Sequence, residues 1–299
     1  MTQTVDYRPA APAAVAALLA GATVWGLIWY PYRVLASAGL PGGAATTLTY
    51  AVALLLALLF LRRRLRGARP DVWLVAIALS AGGCNLGYVL ATLHGQVMRV
   101  LLLFYLAPLW TVLLSRGLLG ERLTRTGSAT IGMSMVGAGI MLWRPELGAP
   151  WPRAGAEWIG LAAGFLFALS NVLIRRADHY SIELKSTAVF FGVVVLGSLS
   201  MAWQGWPVRL HLDADSWVII GAVSLALLIV NLVVQFGLTR VPANRAVVIL
   251  LFELVVAALG SWWLAGEVMG PQEWLGGALI AAATAVSAGF EMDASAERK

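Results

Sequence analysis

Few polar side chains lie deep within the long apolar stretches of this sequence. They are Asn85, Asn171, Asn231, Gln235 and Glu253, with tyrosine hydroxyls at Tyr50, Tyr88 and Tyr105. In hydrocarbon, such groups face a partner, the interior of a helix bundle or a wet cavity. On a helix, Asn231 and Gln235, four residues apart, share one face, as do Asn85 and Tyr88, three apart. We expect these faces to bind a polar ligand, and bridging between helices is the alternative for each amide.

Glu253 is the only acidic residue that the sequence places near the middle of an apolar stretch. An ionised carboxylate there is costly without a partner. Glu253 is therefore expected to bind an ammonium group or a proton, or to hydrogen-bond a neighbouring helix for structure alone. Arg99 and Arg245, at the starts of two stretches, are candidates for contacting a carboxylate or closing a gate. Snorkelling towards lipid headgroups is the alternative for both arginines.

Two further carboxylates stand at turns. Glu121 and Glu267 each follow a glycine where an apolar stretch ends. A carboxylate in that place can accept hydrogen bonds from the free N–H groups of the next helix, so both are expected to be helix caps.

Nothing in the sequence indicates an enzyme. No nucleophile, base and oxyanion donor are assembled, and there is no Gly-rich phosphate loop that an ATP-driven pump would need. Cys84 is the only cysteine, and the three histidines are scattered along the chain. We expect no catalytic residues, no metal and no cofactor.

The composition places the polar residues within a membrane. Of the 299 residues, 60% are hydrophobic and 12% are charged, which is too little polar surface for a soluble globule. Apolar stretches of about 20 residues, each able to cross a hydrocarbon core about 30 Å thick as a helix, recur along the chain. We predict an all-α integral membrane protein with ten transmembrane helices, here called segments 1 to 10: 13–37, 42–61, 71–93, 97–116, 124–143, 156–177, 185–203, 215–238, 244–265 and 271–290.

The stretch 85–121 is repeated at 231–267 without a gap, each matched position lying 146 residues further along. The matched polar positions are Asn85 and Asn231, Arg99 and Arg245, Ser115 and Ser261, and Glu121 and Glu267. Because polar residues are rare in such stretches, their coincidence indicates a duplication. We predict two five-helix repeats, over residues 1–148 and 149–299. Five is an odd number, so the second repeat enters the membrane from the opposite side and the repeats are inverted.

The basic residues predict the orientation of the chain. The sequence RRRLRGAR, which follows Leu61, is too basic to remain outside under the positive-inside rule. With both termini in the cytoplasm, 16 of the 21 basic residues lie on the inner side. This asymmetry explains the net charge of +6 without nucleic acid as a partner. Inverted repeats are common in secondary transporters, whose substrate site lies near the midplane, and they favour transport over other functions.

The repeated unit resembles a known family. A helix with proline near its middle, ending in Leu-x-Gly-Glu and followed by a Gly-rich helix, resembles the EamA repeat of the drug/metabolite transporter superfamily, which has ten helices in two inverted units. The second repeat of that family typically reads like LEPV…LLGE. Segment 9 here reads LFELVV…LAGE, which keeps Glu253 and Glu267 but has Leu254 in place of the proline. Segment 4 keeps Pro108 and has Ala107 instead of the acid.

Within the superfamily, three features look like the YddG-type exporters of the bacterial inner membrane, which are linked to aromatic amino acids. These features are WGLIWYPYR, YLAPLWTVLLSR and the asparagines of segments 3, 6 and 8. The resemblance implies a multi-pass protein of the bacterial inner membrane that exports aromatic or other large neutral amino acids by alternating access.

A zwitterion with an apolar ring requires an aromatic-lined cavity and polar groups for its two charged ends. The residues expected to supply both are Trp25, Tyr50, Asn85, Tyr88, Tyr105, Asn171, Asn231, Gln235 and Glu253. One alternative is export of another small metabolite or a cationic drug, because aromatic walls also bind cations. A membrane scaffold without transport is the other, and the inverted repeat weighs against it. The expected partners are the small-molecule substrate and the lipid bilayer, and a monomer is compatible with the sequence.

Overall fold

The computed structural model describes residues 12–65, 71–147, 151–203, 212–266 and 268–296, and helices account for nearly all of them. The α-helices are α1 Pro12–Leu27, α2 Trp29–Ser37, α3 Gly42–Phe60, α4 Arg62–Leu65, α5 Val72–His94, α6 Val97–Phe104, α7 Ala107–Leu119, α8 Arg125–Leu142, α9 Gly155–Arg176, α10 Ile182–Trp203, α11 Ala214–Arg240, α12 Ala243–Leu250, α13 Phe252–Leu264 and α14 Pro271–Ala296. The predicted all-α class is confirmed.

The helices follow the order of the predicted segments. Segments 1, 4 and 9 are each built from two helices, α1 with α2, α6 with α7, and α12 with α13. Segments 2, 3, 5, 6, 7, 8 and 10 are α3, α5, α8, α9, α10, α11 and α14, respectively. In the described part of the chain, eight segments are long and apolar enough to cross a membrane, and segments 5 and 10 are not among them. The multi-pass architecture is confirmed, and the count of ten spans stays a prediction.

Short polar side chains fix several helix ends. Asp71 precedes α5 and accepts hydrogen bonds from the N–H groups of Trp73 and Leu74, at 2.9 and 3.2 Å. Asp213 caps α11 in the same way, and the hydroxyl and backbone N–H of Ser216 lower the pKa of its carboxyl by hydrogen bonding. Such caps satisfy the free N–H groups of a first helical turn. They therefore set where these helices begin.

The packing of the segments has a two-fold pattern. Segment 3 packs against segments 6 and 7, and segment 8 packs against segments 1 and 2, which are their counterparts in the other repeat. Segment 4 contacts segment 6, just as segment 9 contacts segment 1, and segments 5 and 10 pack against each other. Exchange of the two repeats thus reproduces these contacts. A pseudo-two-fold relation between the repeats predicts such a pattern.

Segments 4 and 9 are interrupted at equivalent positions. Tyr105 is the C-cap of α6, and Leu251 is the C-cap of α12. The two residues lie 146 positions apart, so they are equivalent in the two repeats. Each segment resumes directly afterwards as a second helix, α7 or α13. Interrupted helices at membrane depth are typical of transporter binding sites, because the ends of the half-helices present polar groups.

Apolar side chains close one end of the bundle. Leu18, Ile77, Ile174, Ala246 and Ile249 come from four helices and are at most 2% exposed. All five lie near the helix ends that the basic residues assign to the cytoplasm. In this structure, packed side chains seal the predicted cytoplasmic end.

Candidate functional site

The interruptions of segments 4 and 9 meet through a hydrogen bond. The hydroxyl of Tyr105, at the C-cap of α6, donates to Oε1 of Glu253 over 2.7 Å. Glu253 lies in the first turn of α13, where free N–H groups and the helix dipole favour a negative charge. Both side chains are only partly buried. The carboxylate therefore has a positioned donor and remains able to accept others.

Aromatic rings pack beside the ring of Tyr105. Phe104 lies between Tyr88 and Tyr105, with ring centroids 5.2 and 5.3 Å away and edge-on geometry in both contacts. Phe167 of α9 packs on the same ring at 5.6 Å. Edge-on pairs of this kind are favourable arrangements of aromatic rings. The structure thus brings predicted residues Tyr88, Tyr105 and Glu253 into one cluster, here called the central cluster.

Tyr50 and Trp25 belong to a different group of side chains. Tyr50 is 2% exposed and stands edge-on to Phe190, with centroids 5.9 Å apart. Trp25 packs against the same apolar cluster from segment 1. The two residues therefore lie together between segments 1, 2 and 7, and Tyr50 would need a rearrangement to reach a ligand.

The predicted amides differ in their surroundings. Asn85 donates from Nδ2 to the carbonyl of Ala81 in its own helix, at 3.0 Å. In contrast, Nδ2 of Asn171, Nδ2 of Asn231 and Oε1 of Gln235 are buried and have no hydrogen-bond partner among the described residues. Burial of an unpartnered polar group is costly. These three amides are therefore prepared to bind a polar group that moves between the helices.

Arg99 and Arg245 both point into the protein. The guanidinium of Arg99 is bound by Glu157, with Nε 2.7 Å from Oε1, and it also donates to the carbonyl of Trp151 at 2.8 Å. The side chains of Arg99 and Glu157 are each 7% exposed. Arg245 donates to the carbonyl of Ser287 in α14. Snorkelling to headgroups therefore does not describe Arg99, which joins segment 4 to segment 6.

Glu121 caps a helix other than the expected one. The next helix in the chain, α8, is capped by Thr124, which accepts from the N–H of Gly127 at 3.0 Å. Glu121 instead accepts from the N–H of Ala243 at 3.0 Å, at the start of α12. Glu121 is therefore a helix cap, but for α12 instead of the next helix in the chain, because the sequence does not show which helix end lies beside a turn carboxylate. Glu267 lies outside the described residues.

Sequence reasoning missed three charged residues that the structure places inside the protein. Glu157 holds Arg99, Arg175 holds Glu121 with Nε and Oε1 2.5 Å apart, and Lys185 is completely buried. Arg175 and Lys185 were counted among the basic residues of the inner side. That count does not distinguish a buried basic residue from an exposed one. Their burial becomes visible only when the neighbouring segments are in place.

The described side chains offer binding groups more than reactive ones. Within the described ranges, no three His, Cys, Asp or Glu side chains come together to hold a metal ion. The central cluster provides a carboxylate, a hydroxyl and aromatic faces, and the buried amides provide donors and an acceptor. These groups suit reversible recognition of an amphipathic molecule that carries charge.

Comparisons with known proteins agree with this architecture. The sequence profile of the EamA-like transporter family matches residues 12–143 and 155–289. An "uncharacterized transporter" of Archaeoglobus fulgidus is 25% identical over 229 residues, which are 73% of this chain and 77% of the relative. Protein RarD of Streptomyces exfoliatus is 26% identical over 274 residues, 88% of this chain and 84% of the relative. A crystal structure with 21% identity superposes with a TM-score of 0.75, covering 92% of this chain and 96% of that chain, and shares its fold.

Proposed function

The chain belongs to the EamA-like transporter family, and we propose that it is a secondary transporter that exports amino acids, with aromatic or other large neutral side chains, across the bacterial inner membrane. Its two repeats, 1–148 and 149–299, are proposed to be inverted, with both termini in the cytoplasm. The substrate is proposed to bind between them at the central cluster and the neighbouring amides.

The observation that carries the proposal is the contact of Tyr105 with Glu253. It joins the interrupted helices of both repeats, and the ring of Phe104 packs edge-on against that of Tyr105. A carboxyl group that accepts from one neutral donor has further lone pairs with which to accept from an ammonium group. The rings provide apolar contact for an aromatic or large aliphatic side chain. The cluster thus offers groups for the ammonium end and for the apolar side chain of a zwitterion.

Both repeats contribute to this site. Asn85, Tyr88 and Tyr105 come from the first repeat, whereas Asn171, Asn231, Gln235, Glu253 and the ring of Phe167 come from the second. A substrate between the repeats would therefore meet both aromatic and polar groups. This combination supports an amphipathic substrate over a uniformly polar one such as a sugar.

Alternating access is proposed as rocking of the segments about this site. The structure has its predicted cytoplasmic end sealed by apolar side chains and by the ion pair of Arg175 with Glu121. Opening of that end requires both contacts to separate. Export would then begin when the opened end admits the substrate to the amides and the central cluster.

Export of an organic cation is a second candidate, because Glu253 has no cationic partner among its described hydrogen bonds. Aromatic rings beside a carboxylate also bind quaternary ammonium groups. The two candidates differ in whether the ligand carries a carboxylate. Inhibition of transport by quaternary ammonium compounds, with none by phenylalanine, would select the cation.

Overproduction in a bacterium tests the proposal. We expect higher resistance to toxic analogues of aromatic amino acids and a lower internal concentration of phenylalanine. The matched control is the Glu253→Gln variant at equal membrane abundance, which should give less of both effects. The substrate assignment is wrong if an inserted, folded wild-type protein changes neither quantity.

A further inference from the structure

Lys185 is a cation enclosed between three segments. It is 0% exposed, and its Nζ donates to the carbonyl of Ile174 at 3.1 Å and to Oγ1 of Thr239 at 2.9 Å. These contacts place the ammonium group between α9, α10 and α11. An ammonium group has three N–H donors, of which these bonds use two. The third donor has no acceptor among the described residues.

No hydrogen-bonded carboxylate neutralises Lys185 within the described residues. Glu121 is held by Arg175 and by the N–H of Ala243. The side chain of Asp178, in the adjoining loop, is 78% exposed. A buried charge normally has a paired counter-charge, because burial without one is costly. The uncompensated positive charge at Lys185 therefore favours the binding of an added anion.

Two open amide groups lie about one helical turn along the chain from the residues that bind this ammonium group, towards the predicted middle of the membrane. Asn171 precedes Ile174 by three residues, and Gln235 precedes Thr239 by four, so each shares a helix face with a group that binds Lys185. Asn171 and Gln235 are 9% and 2% exposed. Nδ2 of the first and Oε1 of the second have no partner in the described protein. Nδ2 of Asn171 is a donor, and Oε1 of Gln235 is an acceptor.

We propose that Lys185, Asn171 and Gln235 bind the α-amino-carboxylate head of the substrate on the cytoplasmic side of the central cluster. Lys185 and Asn171 donate to the carboxylate, and Gln235 accepts from the ammonium group before the substrate reaches Glu253. A carboxylate has two oxygens and can accept from two such donors at once. The inference rests on the proposed function and deepens it, since it makes the carboxylate the group first recognised from the cytoplasm.

Three ligands that differ in their charged groups test this site on the full-length protein in detergent. Phenylalanine has both groups, 3-phenylpropionate lacks the ammonium group, and phenethylamine lacks the carboxylate. Lys185→Met should weaken binding of phenylalanine and 3-phenylpropionate by about tenfold or more, the usual effect of losing a charged hydrogen bond. Binding of phenethylamine should change less than threefold. Ser186→Ala is the matched control, because Ser186 is the buried neighbour of Lys185 and has no described hydrogen-bond partner.

The ratio of two affinities in one variant does not depend on how much of the sample is folded. Equal weakening of all three ligands by Lys185→Met, or no weakening, would overturn the proposed site. If that variant does not fold, Asn171→Asp replaces it. The added negative charge should weaken the two carboxylates and spare phenethylamine, and any other pattern would again contradict the proposal.

A small free anion is the other possible occupant, and sodium formate tests it. Thermal unfolding is followed as formate replaces a bulky sulfonate buffer at constant ionic strength. Stabilisation by formate that is lost in Lys185→Met but kept in Ser186→Ala supports an anion site even if phenylalanine is not the substrate. A Lys185-dependent effect of formate without one for the phenyl carboxylates would overturn the role of the site in substrate recognition.

Discussion

Tyr105 and Glu253 are separated by 148 residues in the sequence, yet the tyrosine hydroxyl lies 2.7 Å from the carboxylate. The bond connects the two places where a membrane segment is interrupted, one in each repeat. A movement of one repeat against the other must therefore break this bond or move the two side chains together. The pair couples the position of the Glu253 carboxyl group to the arrangement of the repeats.

Glu253→Gln is predicted to weaken phenylalanine binding by about tenfold, because an ionic hydrogen bond to the ammonium group becomes a neutral one. The loss should be the same with and without a pH gradient. Tyr105→Phe, which keeps the ring and removes only the donor, should give a smaller loss. Transport into liposomes measures both effects. If Glu253→Gln abolishes only uphill transport driven by a pH gradient and leaves affinity intact, Glu253 carries protons instead.

The Arg99–Glu157 pair is predicted to matter more for stability than the Arg144–Glu273 pair. The first pair has side chains 7% exposed, whereas the second has side chains 32% and 24% exposed. Glu157→Ala should cost about 3–5 kcal/mol because it leaves a buried arginine without its counter-charge. Glu273→Ala should cost ~1 kcal/mol or less because water screens that pair. Equal shifts of Tm in the purified variants would contradict this ranking.

Gly192 is predicted to be required for the contact between segments 3 and 7. A Cβ atom at this position would clash with the backbone oxygen of Ala78, so Gly192→Ala must push the two helices apart. Gly221, in the neighbouring segment 8, has open space around its added Cβ and is the matched control. We expect Gly192→Ala to lower Tm and folded yield and Gly221→Ala to leave both unchanged. If yield and Tm are unaffected in Gly192→Ala, segments 3 and 7 approach each other less closely than the structure indicates.

The orientation can be measured at the two ends of α9. In a Cys84→Ala background, cysteine replaces Ala154 before the helix or Asp178 after it, and both positions are exposed. A membrane-impermeant thiol reagent applied to intact cells should label the first variant and not the second. After permeabilisation, both should react. The opposite labelling would contradict the cytoplasmic termini and the inverted arrangement of the repeats.

The sequence predicted the helical class well because composition and segment length alone decide whether a chain crosses a membrane. The repeat also indicated that Tyr105 and Leu251 occupy equivalent positions, but it could not show that both interrupt a helix. The ion pairs of Arg99 with Glu157 and of Arg175 with Glu121 depend on which segments become neighbours. Residue spacing within one segment does not show which segments become neighbours. The same is true of the close approach at Gly192, which depends on packing between the repeats.

Counterflow of labelled phenylalanine in liposomes that contain only this protein tests the central claim most directly. Liposomes preloaded with unlabelled phenylalanine should accumulate the labelled amino acid transiently, and those preloaded with phenethylamine or a quaternary ammonium compound should accumulate less. Glu253→Gln should reduce the signal at limiting substrate. If folded wild-type protein gives no counterflow with any amino acid but does so with organic cations, the export of amino acids through the Tyr105–Glu253 site is contradicted.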